Sequence, residues 1–236
     1  MTEAFVEETL KYSAMHGAEM AQLANQVDLD TIKRGLAGPP LQMGVEYELK
    51  PLPTQVEILV GEVTKVKNSR SGRDMTVMVE DKFTKVAMPD YGLFSAKRSV
   101  TAARAYIVRR EEGTRAVIEK LLQHGIAVEE LSEPLTTEVE SFVIDSVKKA
   151  GRPFQGHQAV TLTGHYKKET IEFPVGSIVV RAAQPLGTLA AYLLEPESDD
   201  GLTSWNFFDA YLGEGKVHPI YKVMGDARHA SRRLLQ

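Results

Sequence analysis

The sequence predicts an α+β protein with an N-terminal helix, a mixed sheet that contains one β-α-β unit, and a C-terminal antiparallel β-sandwich. Apolar residues near the start recur at helical spacing, residues 104–131 pass from a strand pattern to a helix pattern and back, and most of the rest alternates apolar with polar residues. We predict a helical segment over 1–38, an α/β lobe over 39–134, a β-sandwich lobe over 135–224 and a basic tail over 225–236.

The composition is that of an ordinary globular protein. Hydrophobic residues make up 43% of the 236 positions, which is enough for a core, and the net charge of -4 argues against a nucleic-acid partner. The absence of cysteine excludes disulfides, thiolate nucleophiles and cysteine zinc ligands. No apolar run approaches the ~20 residues of a membrane span, and the acidic N-terminus is unlike a signal peptide. We therefore expect a cytoplasmic location and no membrane partner.

The N-terminal helix is predicted over residues 4–27, from the spacing of its apolar side chains. Glu3, Glu7 and Glu8 lie near its start, where the helix dipole favours acidic groups. Residues 28–38 predict a short second helix, capped by Asp28 or Asp30 and stopped by the Gly-Pro-Pro sequence at 38–40.

Residues 45–89 predict antiparallel strands, because four short runs there alternate apolar and polar residues. The sequence NSRSGRD at 68–74 has the residues of a hairpin turn. Lysines and arginines near this turn form a basic tip, for which a solvated hairpin end is favoured over an anion site.

The β-α-β unit is predicted from a short apolar run at Ala105 to Val108, an amphipathic helix after it, and a second strand at 126–131. Gly125 suits the left-handed position after the helix, and His124 lies at the negative end of the helix dipole. This placement gives His124 a structural role.

Strand patterns return after Pro134 and end with HPIYKVM at 218–224. TGHYKKET at 163–170 predicts a hairpin, and the basic tail from Gly225 onward is expected to be loosely attached. Near the C-terminus, four acids at positions 195, 197, 199 and 200 precede the aromatic residues at 205, 207 and 208. This order predicts a solvated turn followed by an aromatic anchor that closes the core.

Several segments resemble the C-terminal region of large bacterial zinc carboxypeptidases of the carboxypeptidase A-like metallopeptidase family. The clearest are LLEPESDDGLTSWNFFD (193–209), FPVGSIVV (173–180) and QPLGTLAAY (184–192). ETLKYSAMHGAEMAQLANQVD (8–28), VEYELKPLPTQVEILVGEV (45–63), residues 104–131 and GRPFQGHQAVTLTGHY (151–166) resemble other pieces of that region, in the same order. The resemblance extends to about Met224. It implies that zinc and the catalytic residues belong to an upstream peptidase domain, so that this chain holds no cofactor itself.

A zinc site within this chain is the alternative to that interpretation. His16 and Glu19 match the H-x-x-E zinc motif of carboxypeptidases, His124 is a candidate third ligand, and Glu195 or Glu197 is a candidate general base. In the family this motif follows a buried strand, whereas here it lies within a predicted amphipathic helix. The structural interpretation of these residues is therefore favoured.

Other candidate sites carry weaker signals. His157 and His165 flank a predicted strand and pair with His218 as a hypothetical ligand set. The acids at 195–200 lack the spacing of a calcium-binding loop, and the sequence has neither a G-x-S-x-G elbow nor a phosphate-binding loop. For the aromatic residues at 205–211, a core role is favoured over a ligand-binding role.

Three hypotheses follow. The preferred one is a non-catalytic accessory region that packs against the peptidase domain. The second is a free-standing hydrolase acting on esters or phosphoesters. The third is a binding or assembly module, including a homo-oligomer formed through sheet edges.

Overall fold

The computed structural model describes residues 2–226 and 231–234. Its α-helices are α1 (Thr2–Ala37), α2 (Arg115–Gln123) and α3 (Gly187–Leu194). Its strands are β1 (Gln42–Lys50), β2 (Gln55–Lys67), β3 (Asp74–Pro89), β4 (Leu93–Thr101), β5 (Ala105–Val108), β6 (Glu129–Leu131), β7 (Leu135–Lys149), β8 (Val160–Phe173), β9 (Ile178–Arg181), β10 (Val217–Val223) and β11 (Ser231–Arg233). The predicted α+β class, with an N-terminal helix and mostly antiparallel sheets in a sandwich-like arrangement, is confirmed.

The chain forms two compact units, one made of Met1–Glu46 and Arg98–Gln236 and the other of Tyr47–Lys97. The smaller unit is built around the hairpin of β2 and β3, whose pairing runs from Gln55 opposite Pro89 to Lys67 opposite Asp74. The hairpin turn predicted at 68–74 is confirmed, and Gly72 supplies its positive φ of 68°. The predicted division of the chain at residues 38, 134 and 224 stays a prediction.

A seven-stranded sheet, in the order β11-β6-β9-β5-β10-β7-β8, organises the larger unit. The recorded pairings within it are antiparallel. Strands β5 and β6 are both antiparallel to β9, so they run parallel to each other on its two sides. The predicted β-α-β unit is therefore confirmed, with β9 inserted between its strands.

Apolar side chains cover both faces of this sheet, as strand alternation requires. On one face, Tyr106 and Val108 of β5 belong to the larger buried cluster, which includes residues of α2 and α3. On the other face, Ala105 and Ile107 join a smaller cluster with Phe173. The candidate site described below lies on the face that the helices cover.

Helix α1 is continuous, so the predicted second helix at 28–38 is wrong. No glycine or proline interrupts residues 28–34, and Asp28 and Asp30 lie inside the helix rather than at a cap. The predicted stop at 38–40 is correct. Many apolar side chains of α1 are exposed, as at Phe5 (72%) and Met15 (74%). No helix in the described part of the chain is both long enough and apolar enough to cross a membrane.

The C-terminal end of α1 is attached to the sheet by a cation and by a close backbone contact. The Arg104 guanidinium donates to the carbonyl oxygens of Gly35, at 3.3 Å, and Gly38, at 3.0 Å. These hydrogen bonds satisfy carbonyl groups at the helix end, and the positive charge of Arg104 lies at the negative end of the helix dipole, where it is stabilising. A Cβ atom at Gly35 would lie 2.5 Å from the backbone of Ala183, so only glycine fits there.

Two predictions for the C-terminal half are wrong. TGHYKKET is not a hairpin, because it lies within β8, which pairs with β7 along its length. The turn instead falls near Gln155 and Gly156, which both have positive φ. The tail is not loosely attached throughout, since β11 pairs with β6. The remaining tail positions 227–230 and 235–236 lie outside the described residues.

Two glycines of α1 provide a matched test of its attachment. We expect Gly35→Ala to lower the melting temperature, because the added methyl group must displace the helix end from Ala183. A Cβ atom at Gly17 meets nothing within 4 Å. Gly17→Ala should therefore increase helix stability by about 0.5–1 kcal/mol. Thermal unfolding followed by circular dichroism measures both changes. Equal changes of melting temperature in the two variants would contradict a close contact between Gly35 and Ala183.

Candidate functional site

A buried carboxylate lies where α3 ends. Glu195 is the residue that follows the helix, and its extended backbone, with ψ of 126°, turns the chain towards Pro196. Its side chain is only 1% exposed, so the predicted solvated turn is wrong at this position. A buried carboxylate is costly unless it is paired and hydrogen bonded.

Three side chains from three strands bind this carboxylate. The Tyr106 hydroxyl of β5 donates to Oε1 and the Tyr166 hydroxyl of β8 donates to Oε2, each at 2.6 Å. The Lys222 Nζ of β10 lies 2.8 Å from Oε1. The register explains the convergence, because Lys222 lies directly opposite Tyr106 in the pairing of β10 with β5.

The ammonium group of Lys222 is also fully engaged. The side chain is 2% exposed, and its Nζ donates to the carbonyl oxygen of Thr101 at 2.7 Å. The same nitrogen lies 4.4 Å from the centre of the Tyr166 ring, within range of a cation–π interaction. Glu195 and Lys222 therefore form a buried ion pair whose polar atoms have protein partners.

The two tyrosines act as hydrogen-bond donors. Burial, and then the charge of Glu195, raise the pKa of both Tyr106 and Tyr166 well above the ordinary tyrosine value. Both phenols therefore keep their protons and donate them to the carboxylate. Glu195 is occupied by these donors and excluded from solvent, an environment that suits a structural role.

Glu197, the other candidate base, faces a cation at the edge of the same region. Its carboxylate accepts a hydrogen bond from Arg98, whose Nε lies 3.8 Å from a carboxylate oxygen of Glu46. Burial raises the pKa of Glu197, and the charge of Arg98 opposes that rise. The Glu197 side chain is 10% exposed. The structure thus brings both candidate acids near each other but gives each a cation.

The candidate zinc ligands lie on two different helices, α1 and the end of α2. His16 and Glu19 lie on the exposed face of α1, with His16 Nδ1 3.2 Å from Glu19 Oε2, and the Tyr12 ring stacks on His16. His124 is the exposed residue that ends α2, and Gly125 has the predicted positive φ, at 78°. Among the described residues, no group of three or more histidines, aspartates or glutamates is arranged to hold a metal ion.

The other histidines lie in three different environments. His165 pairs with Asp145 at 3.0 Å on the surface of the β7–β8 hairpin, and the His157 ring packs edge-on against Trp205. His218 is fully buried, with Nε2 3.0 Å from the Thr203 hydroxyl oxygen. Its Nδ1 has no hydrogen-bond partner among the described residues.

The aromatic anchor is only partly as predicted. Phe208 is fully buried in the larger cluster and Phe207 packs against that cluster. Trp205 is half-buried, and it lines a surface cavity with His157. Of the predicted aromatic anchor, Phe208 is therefore the residue that is fully buried in the core.

Sequence reasoning missed Tyr106, Tyr166 and Lys222. One local signal was available for the lysine, since Lys222 has the same strand parity as the buried Ile220 and so faces the core. An inward-facing lysine needs a buried acid. No comparable signal marks the tyrosines, because their partner depends on the register of distant strands.

Comparison of the chain with protein-family models, with curated proteins and with solved structures finds no match.

The buried ion pair predicts strong coupling between its two charges. We expect Lys222→Met and Glu195→Gln each to destabilise the protein by about 3–5 kcal/mol, because each leaves one charge buried without its partner. The double variant should lose much less than the sum of the two. Urea unfolding of the four proteins measures this coupling, with the exposed Glu214→Gln as the control. Additive losses would show that the charges do not stabilise each other.

The buried histidine predicts a loss of stability in acid. Burial lowers the pKa of His218 from 6.5 to about 3, so between these values the unfolded chain binds a proton that the folded chain excludes. Stability from this group is therefore complete above the unfolded value and falls as the pH drops through that window. From about pH 7 to about pH 5, the wild type should lose about 2 kcal/mol more than His218→Gln. Urea unfolding at both pH values measures the difference, and equal losses would contradict it.

Proposed function

We propose that this chain is a non-catalytic accessory module, which packs through exposed apolar side chains against the catalytic domain of a zinc carboxypeptidase. The distribution of exposed large hydrophobic residues is the observation that carries the proposal. In the described part of the chain, all of them except Phe154, Val175 and Val217 lie between Phe5 and Phe94. Concentrated apolar exposure of this kind marks interaction surfaces.

The hairpin of β2 and β3 presents one such surface. Val56, Ile58 and Val60 alternate along β2 and therefore share a face. Register places Met88 opposite Val56 and Val86 opposite Ile58, which extends that face across both strands. Each of these five side chains is between 37% and 44% exposed. We call these five residues the hairpin patch.

The opposite face of the hairpin carries charged residues as well as apolar ones. Glu57 and Lys85 lie there and form an ion pair of 2.6 Å. That face also carries Leu59, opposite Lys85, and Phe83, which are 64% and 51% exposed, so apolar side chains are exposed on both faces of the hairpin. Two-stranded ribbons are marginally stable in water unless a further layer packs on them, so an apolar partner surface fits the hairpin patch.

Helix α1 presents a second apolar surface. Val6, Leu10, Met20 and Val27 are each at least 49% exposed, and their spacing of three to four residues or its multiples places them along one side of the helix. The Arg104 cap and the close approach of Gly35 to Ala183 both involve the C-terminal end of α1. A helix with an apolar side of this length favours a protein partner.

The resemblance to zinc carboxypeptidases identifies the partner to test. The segments that carry it include 8–28 in α1 and 45–63 in β1 and β2, and both contain exposed apolar residues. The acids with buried or ion-paired side chains at 195 and 197 support a structural role for this region, not a catalytic one.

An assembly module is the second candidate function, and the edges of the hairpin favour it. In the described part of the chain β2 and β3 pair only with each other, so each has one edge without a partner strand. A second copy of the chain is able to pair with such an edge.

Binding to a catalytic domain tests the proposal. The probe is the isolated catalytic domain of a large bacterial zinc carboxypeptidase of the family that the chain resembles, titrated calorimetrically with the chain. We expect saturable binding, and we expect the double variant Ile58→Glu with Val86→Lys to weaken it at least about tenfold, since charges replace the centre of the hairpin patch. The two new charges lie opposite each other, which preserves strand pairing.

A charge swap on the other face provides the control. Glu57→Lys with Lys85→Glu keeps the ion pair and leaves the hairpin patch unchanged, so binding should be unchanged. Absence of binding, or equal binding by all variants, would contradict the proposal. Concentration-dependent association of the chain alone in sedimentation velocity would favour the assembly module.

A further inference from the structure

A surface cavity of about 220 Å³ lies beside Trp205 in the larger unit. Its lining includes the rings of Phe154, His157 and Trp205 and the carboxylates of Asp199 and Asp200. None of these residues belongs to the Glu195 network or to the apolar surfaces assigned to a partner domain. The cavity therefore needs its own explanation.

Aromatic rings form two walls that meet nearly at a right angle. The His157 and Trp205 ring centres are 5.0 Å apart and their planes are inclined by 75°. Phe154 extends the aromatic lining from a tight turn, in which Phe154 and His157 exchange backbone hydrogen bonds of 2.8 and 2.9 Å. Phe154 is 67% exposed, although the larger unit buries most of its large apolar residues beyond position 98.

Carboxylates form the remaining side, and the fold holds them in place. Asp200 Oδ1 accepts the hydrogen bond of Trp205 Nε1, which fixes the indole relative to the acid. Asp199 accepts a hydrogen bond from the Tyr192 hydroxyl, and its backbone N–H donates to the carbonyl oxygen of Val45 at 2.8 Å. Burial and Asp199 raise the pKa of Tyr192, so the phenol stays protonated as the donor.

We propose that this cavity binds an organic ammonium cation, with the cation against the Trp205 ring and its charge balanced by Asp199 and Asp200. Aromatic faces attract cations, and the carbon groups of an organic ammonium ion pack against an aromatic ring. A bare metal ion fits less well, because the described residues hold no metal-ligating group of three. The site is independent of the proposed docking function, so either can fail alone.

The ligand class has two sources, a free quaternary ammonium compound or the side chain of a lysine. Trp205 is the only tryptophan, so its fluorescence reports binding at the cavity directly. Choline and n-butylammonium chloride represent the two sources, titrated at constant ionic strength. The control is neohexanol, the isostere of choline in which carbon replaces the charged nitrogen.

We expect a saturable change in Trp205 fluorescence with at least one of the two cations, and affinity for neohexanol at least about tenfold weaker than for choline if choline is the ligand that binds. A response to choline alone assigns a quaternary ammonium ligand, and a response to n-butylammonium alone assigns a lysine side chain. No saturable response to either cation, or equal affinity for choline and neohexanol, would overturn the proposal.

Two variants separate the contributions of charge and ring. Asp200→Asn keeps an oxygen that accepts from Trp205 Nε1 but removes the charge, and Phe154→Ala removes a ring that is too exposed to stabilise the core. Each should weaken cation binding by about tenfold or less without changing the melting temperature. The exposed Phe94→Ala is the matched control and should bind as the wild type does. Unchanged affinity in both cavity variants would also overturn the proposal.

Discussion

The ion pair between Glu195 and Lys222 is the constraint on which the larger unit depends. Two ionised groups are almost fully removed from water, and such groups persist only where geometry satisfies each of them. The carboxylate follows the last turn of α3, the ammonium belongs to β10, and the tyrosines come from β5 and β8. A shift of any of these elements would leave a buried charge without a partner, so the pair specifies how α3 sits on the sheet.

The two parts of the chain differ in how far they bury their apolar side chains. Residues beyond position 98 bury most of their apolar side chains on the two faces of one sheet, whereas those up to position 94 expose many of theirs on α1 and on the β2–β3 hairpin. The residues beyond position 98 form a packed structure, and the residues up to position 94 leave apolar side chains exposed. The proposed accessory function accounts for this contrast with one cause.

Local patterns predicted much of the fold. Helix α1, the turn at 68–74, the β-α-β unit and β10 all follow from spacing, turn residues and Gly125, because these features depend on neighbours in the chain. The single helix over 28–37 was missed because Asp28 and Asp30 are typical of a helix cap, although both lie inside α1. The unbroken strand β8 was missed because TGHYKKET has the residues of a turn, although Gly164 lies within the strand without ending it. The acids at 195–200 were identified as notable, but their separation into a buried Glu195, an ion-paired Glu197 and two cavity-lining aspartates depends on tertiary contacts. Such contacts join residues too distant in sequence for a local pattern to reveal.

The position of β9 between β5 and β6 has a consequence for biosynthesis. Strand β5 pairs with β9 on one side and with β10 on the other, and both of these partners are translated long after it. While the ribosome makes residues 109–177, neither edge of β5 has its partner strand, so the apolar sequence AYIV stays unpaired. The sheet of the larger unit therefore cannot form around β5 until residues 178–223 have been synthesised, and until then an apolar strand lacks its partners and is prone to aggregation.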